Sequence, residues 1–134
     1  MRYLWLVLFI AFAPCASFGQ NSEHYRACIK KARTQAQMNA CASEEAHQVD
    51  IELNRIYHEL VSKAEADPLA LAKIRAAESA WIAYRDAYID ATYPAEDKQA
   101  EYGSVYPMQV DLLRAKLTQQ QIAALKELLQ HYSS

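Results

Sequence analysis

Along residues 42 to 60 the apolar side chains recur at alternating steps of four and three: Ala42, Ala46, Val49, Leu53, Ile56 and Leu60. That spacing gathers them on one stripe of an α-helix and would scatter them over both faces of a strand. The same alternation returns in Ala70, Ile74, Ala77, Trp81, Tyr84, Tyr88 and Ala91. With only 2 glycines and 4 prolines in 134 residues, little interrupts helix elsewhere, and the chain reads as all-α.

The helix boundaries are written in capping residues. Ser22 opens a short helix from Glu23 to about Lys31, and Thr34-x-x-Gln37 has the form of a capping box, in which both side chains satisfy amides left free at a helix start. The helix it starts can run to about Ala66, where Asp67-Pro68 supplies an N-cap and a first-turn proline for a third helix that Pro94 stops. The two apolar stripes predict that these long helices pack as an antiparallel hairpin joined at Asp67, with Leu53, Trp81 and Tyr84 as core anchors. Residues 92 to 104 hold Pro94, a polar run and Gly103-Ser104, and predict a loop with at most a turn of helix. Helical spacing resumes from Val105 to Lys116. A second capping-box pattern, Thr118-x-x-Gln121, then predicts a break and a last helix. The expected architecture is a small helical bundle built on the long hairpin, with a short N-terminal helix and one or two C-terminal helices.

Residues 1 to 19 carry Arg2, an apolar run from Tyr3 to Ala13, then Pro14 and small residues, the layout of a secretory signal peptide. The run is short for a membrane span, which needs about 20 apolar residues. Ser17-Phe18-Gly19 places small residues where a signal peptidase reads, so cleavage is expected after Gly19, with Ala16 as an alternative. A lipid anchor on Cys15 is the competing reading, which Pro14 and Phe12 fit badly. The remaining residues 20 to 134 are enough for one core and one domain, without a transmembrane span, in the periplasm or outside the cell. Of the 14 basic residues Arg2 leaves with the leader, against 16 acids, and no basic stripe exists, which argues against a nucleic-acid partner.

Export also bears on the cysteines. Cys15 departs with the leader, so Cys28 and Cys41 are left in an oxidising compartment where thiols join. The bridge closes a loop of about 14 residues, worth on the order of 3 kcal/mol in the chain-entropy model. A metal pair is the alternative. It needs two further ligands of suitable spacing, and His24, His47, His58 and His131 are scattered.

Asp50, Asn54 and Tyr57 share one face of the second helix, beside its apolar stripe. They read either as a polar contact surface or as partners for the first helix or for Arg85. Arg85 and Asp86 are neighbours that point about 100° apart on a helix, so Arg85 is expected to reach Asp50 or a helix-end carbonyl instead. Glu44-Glu45 and Glu96-Asp97 read as solvated charges. No serine in a glycine elbow, phosphate-cradling loop or metal-ligand spacing occurs, so the chain reads as a binding protein without cofactor, not as an enzyme.

Taken in order, Cys28, twelve residues, Cys41, then Asp50-x-x-Leu53-Asn54-x-x-Tyr57, then Trp81-Ile82-x-Tyr84-Arg85-Asp86, the chain resembles the LprI-type lysozyme-inhibitor family, small helical domains of the bacterial cell envelope. The resemblance spans roughly Cys28 to Leu129. It implies a protein partner, lysozyme, whose acidic sugar-binding cleft would be plugged or covered without chemistry. Relatives commonly carry a second cysteine pair, where this chain has Tyr88 and Ile89 and then Leu112 and Leu113. The departure implies apolar packing in place of a disulfide, and a segment 92 to 104 that is less tethered. If the domain inhibits lysozyme, Glu96, Asp97 and Glu101 of that segment are the first candidates for the contact, because binding residues concentrate on loops held by a rigid scaffold and acids speed encounter with a cationic surface. An envelope helical protein with a structural or stress role, a small-ligand carrier and a weak enzyme are the readings from other classes.

Chain recovered from outside the cytoplasm should begin at or near Gln20 and carry one disulfide. Intact mass before and after reduction and alkylation decides this; two free thiols, or an acyl chain on Cys15, would refute it.

Overall fold

A computed structural model of the chain describes residues 21–133. The expected leader, its expected cleavage point and Cys15 lie outside them. Every regular element among the described residues is helical: α1 Glu23–Lys31, α2 Gln35–Lys63, α3 Pro68–Thr92, α4 Lys98–Tyr102, a 3-10 turn Gly103–Val105, and α5 Tyr106–Ser133. The caps sit where the sequence places them. Ser22 accepts from the Tyr25 amide, Thr34 and Gln37 close the capping box, and one Asp67 carboxylate oxygen accepts from the Leu69 and Ala70 amides, 3.0 Å each.

The turn at Asp67 reverses the chain, so α2 and α3 run antiparallel. The closest-packed pair, however, is α2 with α5. These two run parallel: the Asn39 amide donates to the Ser104 carbonyl just before α5, Thr118 lies against Asp50, and Lys126 meets Glu52. Helix α3 returns antiparallel along the outside of this pair, with Ile89 beside Val110 and Glu78 beside Gln121 of α5. The main core is Leu53, Ile56, Leu60 and Ala64 of α2 and its turn, Ile74 of α3, and Ile122 and Leu125 of α5. Small buried residues, Ala42 and Ala46 on α2 and Ala115 and Thr118 on α5, leave room for backbones to approach closely.

Three expectations are corrected here. First, the C-terminal region is a single helix. Nothing between Val110 and Ser133 is Gly or Pro, and Thr118 is fully buried mid-helix with its hydroxyl directed at Asp50 Oδ1, 3.4 Å away, so it caps nothing. Second, α3 is rotated by roughly 70° from the orientation its apolar stripe predicts. Its inward residues are Ile74, Glu78, Trp81, Arg85 and Ile89, while Ala77, Tyr84, Tyr88 and Ala91 face out. Tyr84 is 57% exposed and is not a core anchor, whereas Leu53 is buried and Trp81 packs half-buried against the main core. The rotation follows from a polar residue with its partner inside: Glu78 accepts from Gln121 Nε2 of α5 at 2.9 Å.

Third, Glu45 is not a solvated charge. It is fully buried, accepting hydrogen bonds from the Ser22 amide at 2.9 Å and from the Ser22 hydroxyl. It thereby holds the start of α1 on α2, while the Cys28–Cys41 disulfide, Cα atoms 5.8 Å apart, holds the middle. Tyr25 fills the space between these clamps against Cys41 and Ala42.

Leu60→Ala should cost about 3 to 5 kcal/mol in denaturant unfolding, because Leu60 is wholly buried and its cavity cannot collapse against three helices. Tyr84→Ala should cost less than about 1 kcal/mol. Equal losses would overturn the rotation of α3. Glu45→Ala should cost roughly 2 to 3 kcal/mol, since it strips two hydrogen bonds from a buried carboxylate site and orphans the Ser22 amide. Hydrogen exchange in α1 should accelerate selectively; an unchanged α1 would show that the clamp is idle.

Candidate functional site

Two regions carry the sequence-predicted site residues. The first is the α2 face. Asp50 is half-buried against Thr118, Tyr57 packs on the main core, and of the three only Asn54 is exposed. Arg85 does not join them. Its Nε and one terminal nitrogen both reach Asp86 Oδ1 at 2.9 Å, so the adjacent pair expected to point apart is bonded. The long arginine stem curls back over Trp81, 5.2 Å from ring centroid to guanidinium carbon, and this brings the neighbours together. The four polar residues therefore form no single surface: two serve helix packing, one is free, and one belongs to α3.

The second region is the segment from 92 to 104. Its sequence implies a weakly tethered loop, and the structure makes it an ordered bridge. Tyr93, Tyr102 and Tyr106 form a closed aromatic cluster, with ring centroids 5.3 to 5.6 Å apart. The Ala95 amide donates to the Tyr102 hydroxyl at 3.1 Å, and the Lys98 ammonium donates to the Tyr93 carbonyl. Burial, and then the neighbouring Tyr106 and Tyr102, push the Tyr93 hydroxyl above the usual tyrosine pKa, so it stays protonated. Gly103 at φ 69° supplies the left-handed turn from α4 into the 3-10 turn. Asp97 is spent as the N-cap of α4, accepting from the Ala100 amide at 2.9 Å. Glu96 and Glu101 are exposed on the same short stretch.

Where the resemblance places a second cysteine pair, at Tyr88 and Ile89 and at Leu112 and Leu113, Ile89 is buried with Val110 and Leu117, and Leu113 packs on that cluster.

A groove of about 640 Å³ opens between the start of α1 and the α2/α5 pair, with Val49 and Ile122 on its apolar side and His24, Glu44 and Glu52 among its polar lining. The hydrogen bond from Arg55, reinforced by Lys126, holds Glu52 down to about 2, so it remains anionic at any physiological pH. In α1, burial and then the Glu45 charge raise the pKa of the Tyr25 hydroxyl. Glu45 is the residue that sequence reasoning missed, and a signal existed: it lies on the α2 stripe next to Ala42 and Ala46, where a charge needs a partner. Among the described residues no group of three or more His, Cys, Asp or Glu side chains is placed to hold a metal ion, and no helix is long and apolar enough to cross a membrane.

Comparison with known proteins places these observations. The chain is 30% identical over 127 residues to an uncharacterized protein of Rhizobium meliloti (strain 1021), covering 87% of this chain and 88% of that one. No solved structure matches. The model of the family described as Lysozyme inhibitor LprI matches residues 28–125, from the first cysteine of the disulfide to the last core leucine of α5. A match over that span, which takes in most of the interlocked body of α1 to α5, makes this chain a member of the LprI lysozyme-inhibitor family.

Proposed function

We propose that this chain works outside the cytoplasm as an inhibitor of lysozyme-type muramidases, by binding and without chemistry of its own. The observation that carries the reading is the family match across the folded body from Cys28 to Leu125. The disulfide between Cys28 and Cys41 agrees with an oxidising compartment.

The segment 92 to 104 is the proposed contact. Its support is geometric: Glu96 and Glu101 are exposed on a stretch that the tyrosine cluster and the Asp97 cap hold in one shape, so docking would cost little ordering entropy. The α2 face offers less, because Asp50 and Tyr57 are committed to packing. Acids on a rigid rim would steer a cationic enzyme toward the chain.

The triple change Glu96→Gln, Asp97→Asn and Glu101→Gln removes three charges while asparagine keeps the α4 cap. Association with lysozyme should slow roughly three- to tenfold at low salt, and the difference should fade as salt rises. Inhibition of cell-wall lysis should weaken in step. An unchanged rate with unchanged inhibition would clear this segment; absence of inhibition by the unmodified chain would sink the functional reading itself and leave an envelope protein with another partner.

A further inference from the structure

The rotation of α3 leaves an apolar surface pointing away from the bundle. Opposite its buried residues lie Leu69, Ala72, Ala76, Ala80, Ala83 and Ala87, all exposed, with Leu69 70% so. Tyr84 and Tyr88, 57% and 44% exposed, border one flank with their rings 5.9 Å apart, and Ile82 borders the other. The face runs ~33 Å from Leu69 to Ala91. No described element covers it. A solvated helix of this length ordinarily carries ion pairs on its outer face, as α2 does with Glu52, Arg55 and Glu59.

The few charges on this helix are arranged in a particular order. On the Ile82 flank, Arg75 stands near the start of α3, and Asp86 and Asp90 stand near its end. Arg75 and Asp90 form no ion pair among the described residues. About four helical turns separate the two, so they cannot meet within one chain.

We propose that this face pairs with itself in a second copy of the chain, α3 against α3, antiparallel about a two-fold axis between Trp81 and Ile82. In that register Ala80 meets Ala83, Ala76 meets Ala87 and Ala72 meets Ala91, so small side chains face small side chains along the seam. A two-fold axis sets each flank against the same flank of the copy. Arg75 then falls between Asp86 and Asp90 of the second chain, and Lys73 falls beside the exposed tyrosine rings. A parallel pairing, whose two-fold axis runs along the helices, would instead set the Arg75 flank against the opposite flank of the copy, leaving Arg75 near Lys73 and Asp90 without a cation. Charge complementarity therefore selects both the occupant and its direction. Contact over ~33 Å by about 12 Å of helix width gives roughly 800 Å² for the two copies, and flanking side chains bring it to about 1,000 Å², the lower edge for a specific interface. The dimer is reversible and fills with concentration.

Sedimentation of the purified chain, without lysozyme, from about 1 µM to about 1 mM tests this independently of the inhibitory reading. The unmodified chain should shift from monomer to dimer across that range. Ala80→Glu, on an exposed helical position that leaves the far-UV helix signal unchanged, should weaken association at least about tenfold. Arg75→Glu and Asp90→Arg should each weaken it roughly three- to tenfold, and the double variant should recover to within about twofold of the unmodified chain. A chain that stays monomeric to the top of the range overturns the proposal, as does a dimer indifferent to Ala80→Glu or a double variant no better than the singles. Loss of lysozyme inhibition in Ala80→Glu from a monomeric chain would assign the face to the enzyme instead, and would equally overturn it.

Discussion

The close parallel packing of α2 on α5 is the constraint on which the rest of this molecule depends. Two parallel helices cannot be joined by a short turn, so the chain must travel back the length of the bundle before α5 begins. Helix α3 is that return, 25 residues against 29 and 28 in the helices it connects. As the return element it lies on the α2/α5 pair without parting it. Alignment of the two helix dipoles is mildly unfavourable. The buried leucines and isoleucines of the main core, each worth about 1.5 to 3 kcal/mol on burial, outweigh it.

Hydrophobic burial alone would permit several registers, and buried polar pairs select one. Glu45 with Ser22 ties α1 to α2, Asp50 with Thr118 ties α2 to α5, and Glu78 with Gln121 ties α3 to α5. Sliding any helix by a turn would strand a polar group in an apolar interface, at a cost of several kcal/mol for a charged one. The disulfide acts at the same junction as the first pair, so α1 is held covalently and by hydrogen bonds within a few residues of one another.

The bridge between α3 and α5 is held by apolar and aromatic contact at both of its ends. Ile89 is buried against Val110 and Leu117, and Leu113 packs on them, so these side chains fasten α3 to α5. The three tyrosines then order the intervening segment by edge-to-face and stacked contacts, each worth about 0.5 to 1.5 kcal/mol beyond burial. An ordered rim at one end of the bundle and an uncovered apolar face along its side are thus two distinct surfaces, suited to partners of different chemistry.

Local rules read well from the residues alone. Helix starts at Ser22, Thr34 and Asp67, the all-helical class, the Cys28–Cys41 bridge and the apolar stripe of α2 each depend on neighbours within about one or two turns, or on a single pair of thiols. What escaped was decided at a distance. Thr118 looks like a cap until Asp50, 68 residues away, takes its hydroxyl, and Glu45 looks solvated until Ser22 arrives from another helix. The α3 stripe points Tyr84 inward because apolar spacing cannot foresee that Glu78 will find Gln121, 43 residues away on α5. Burial of a polar group is settled by the partner that satisfies it, and such partners are brought together only by the tertiary fold.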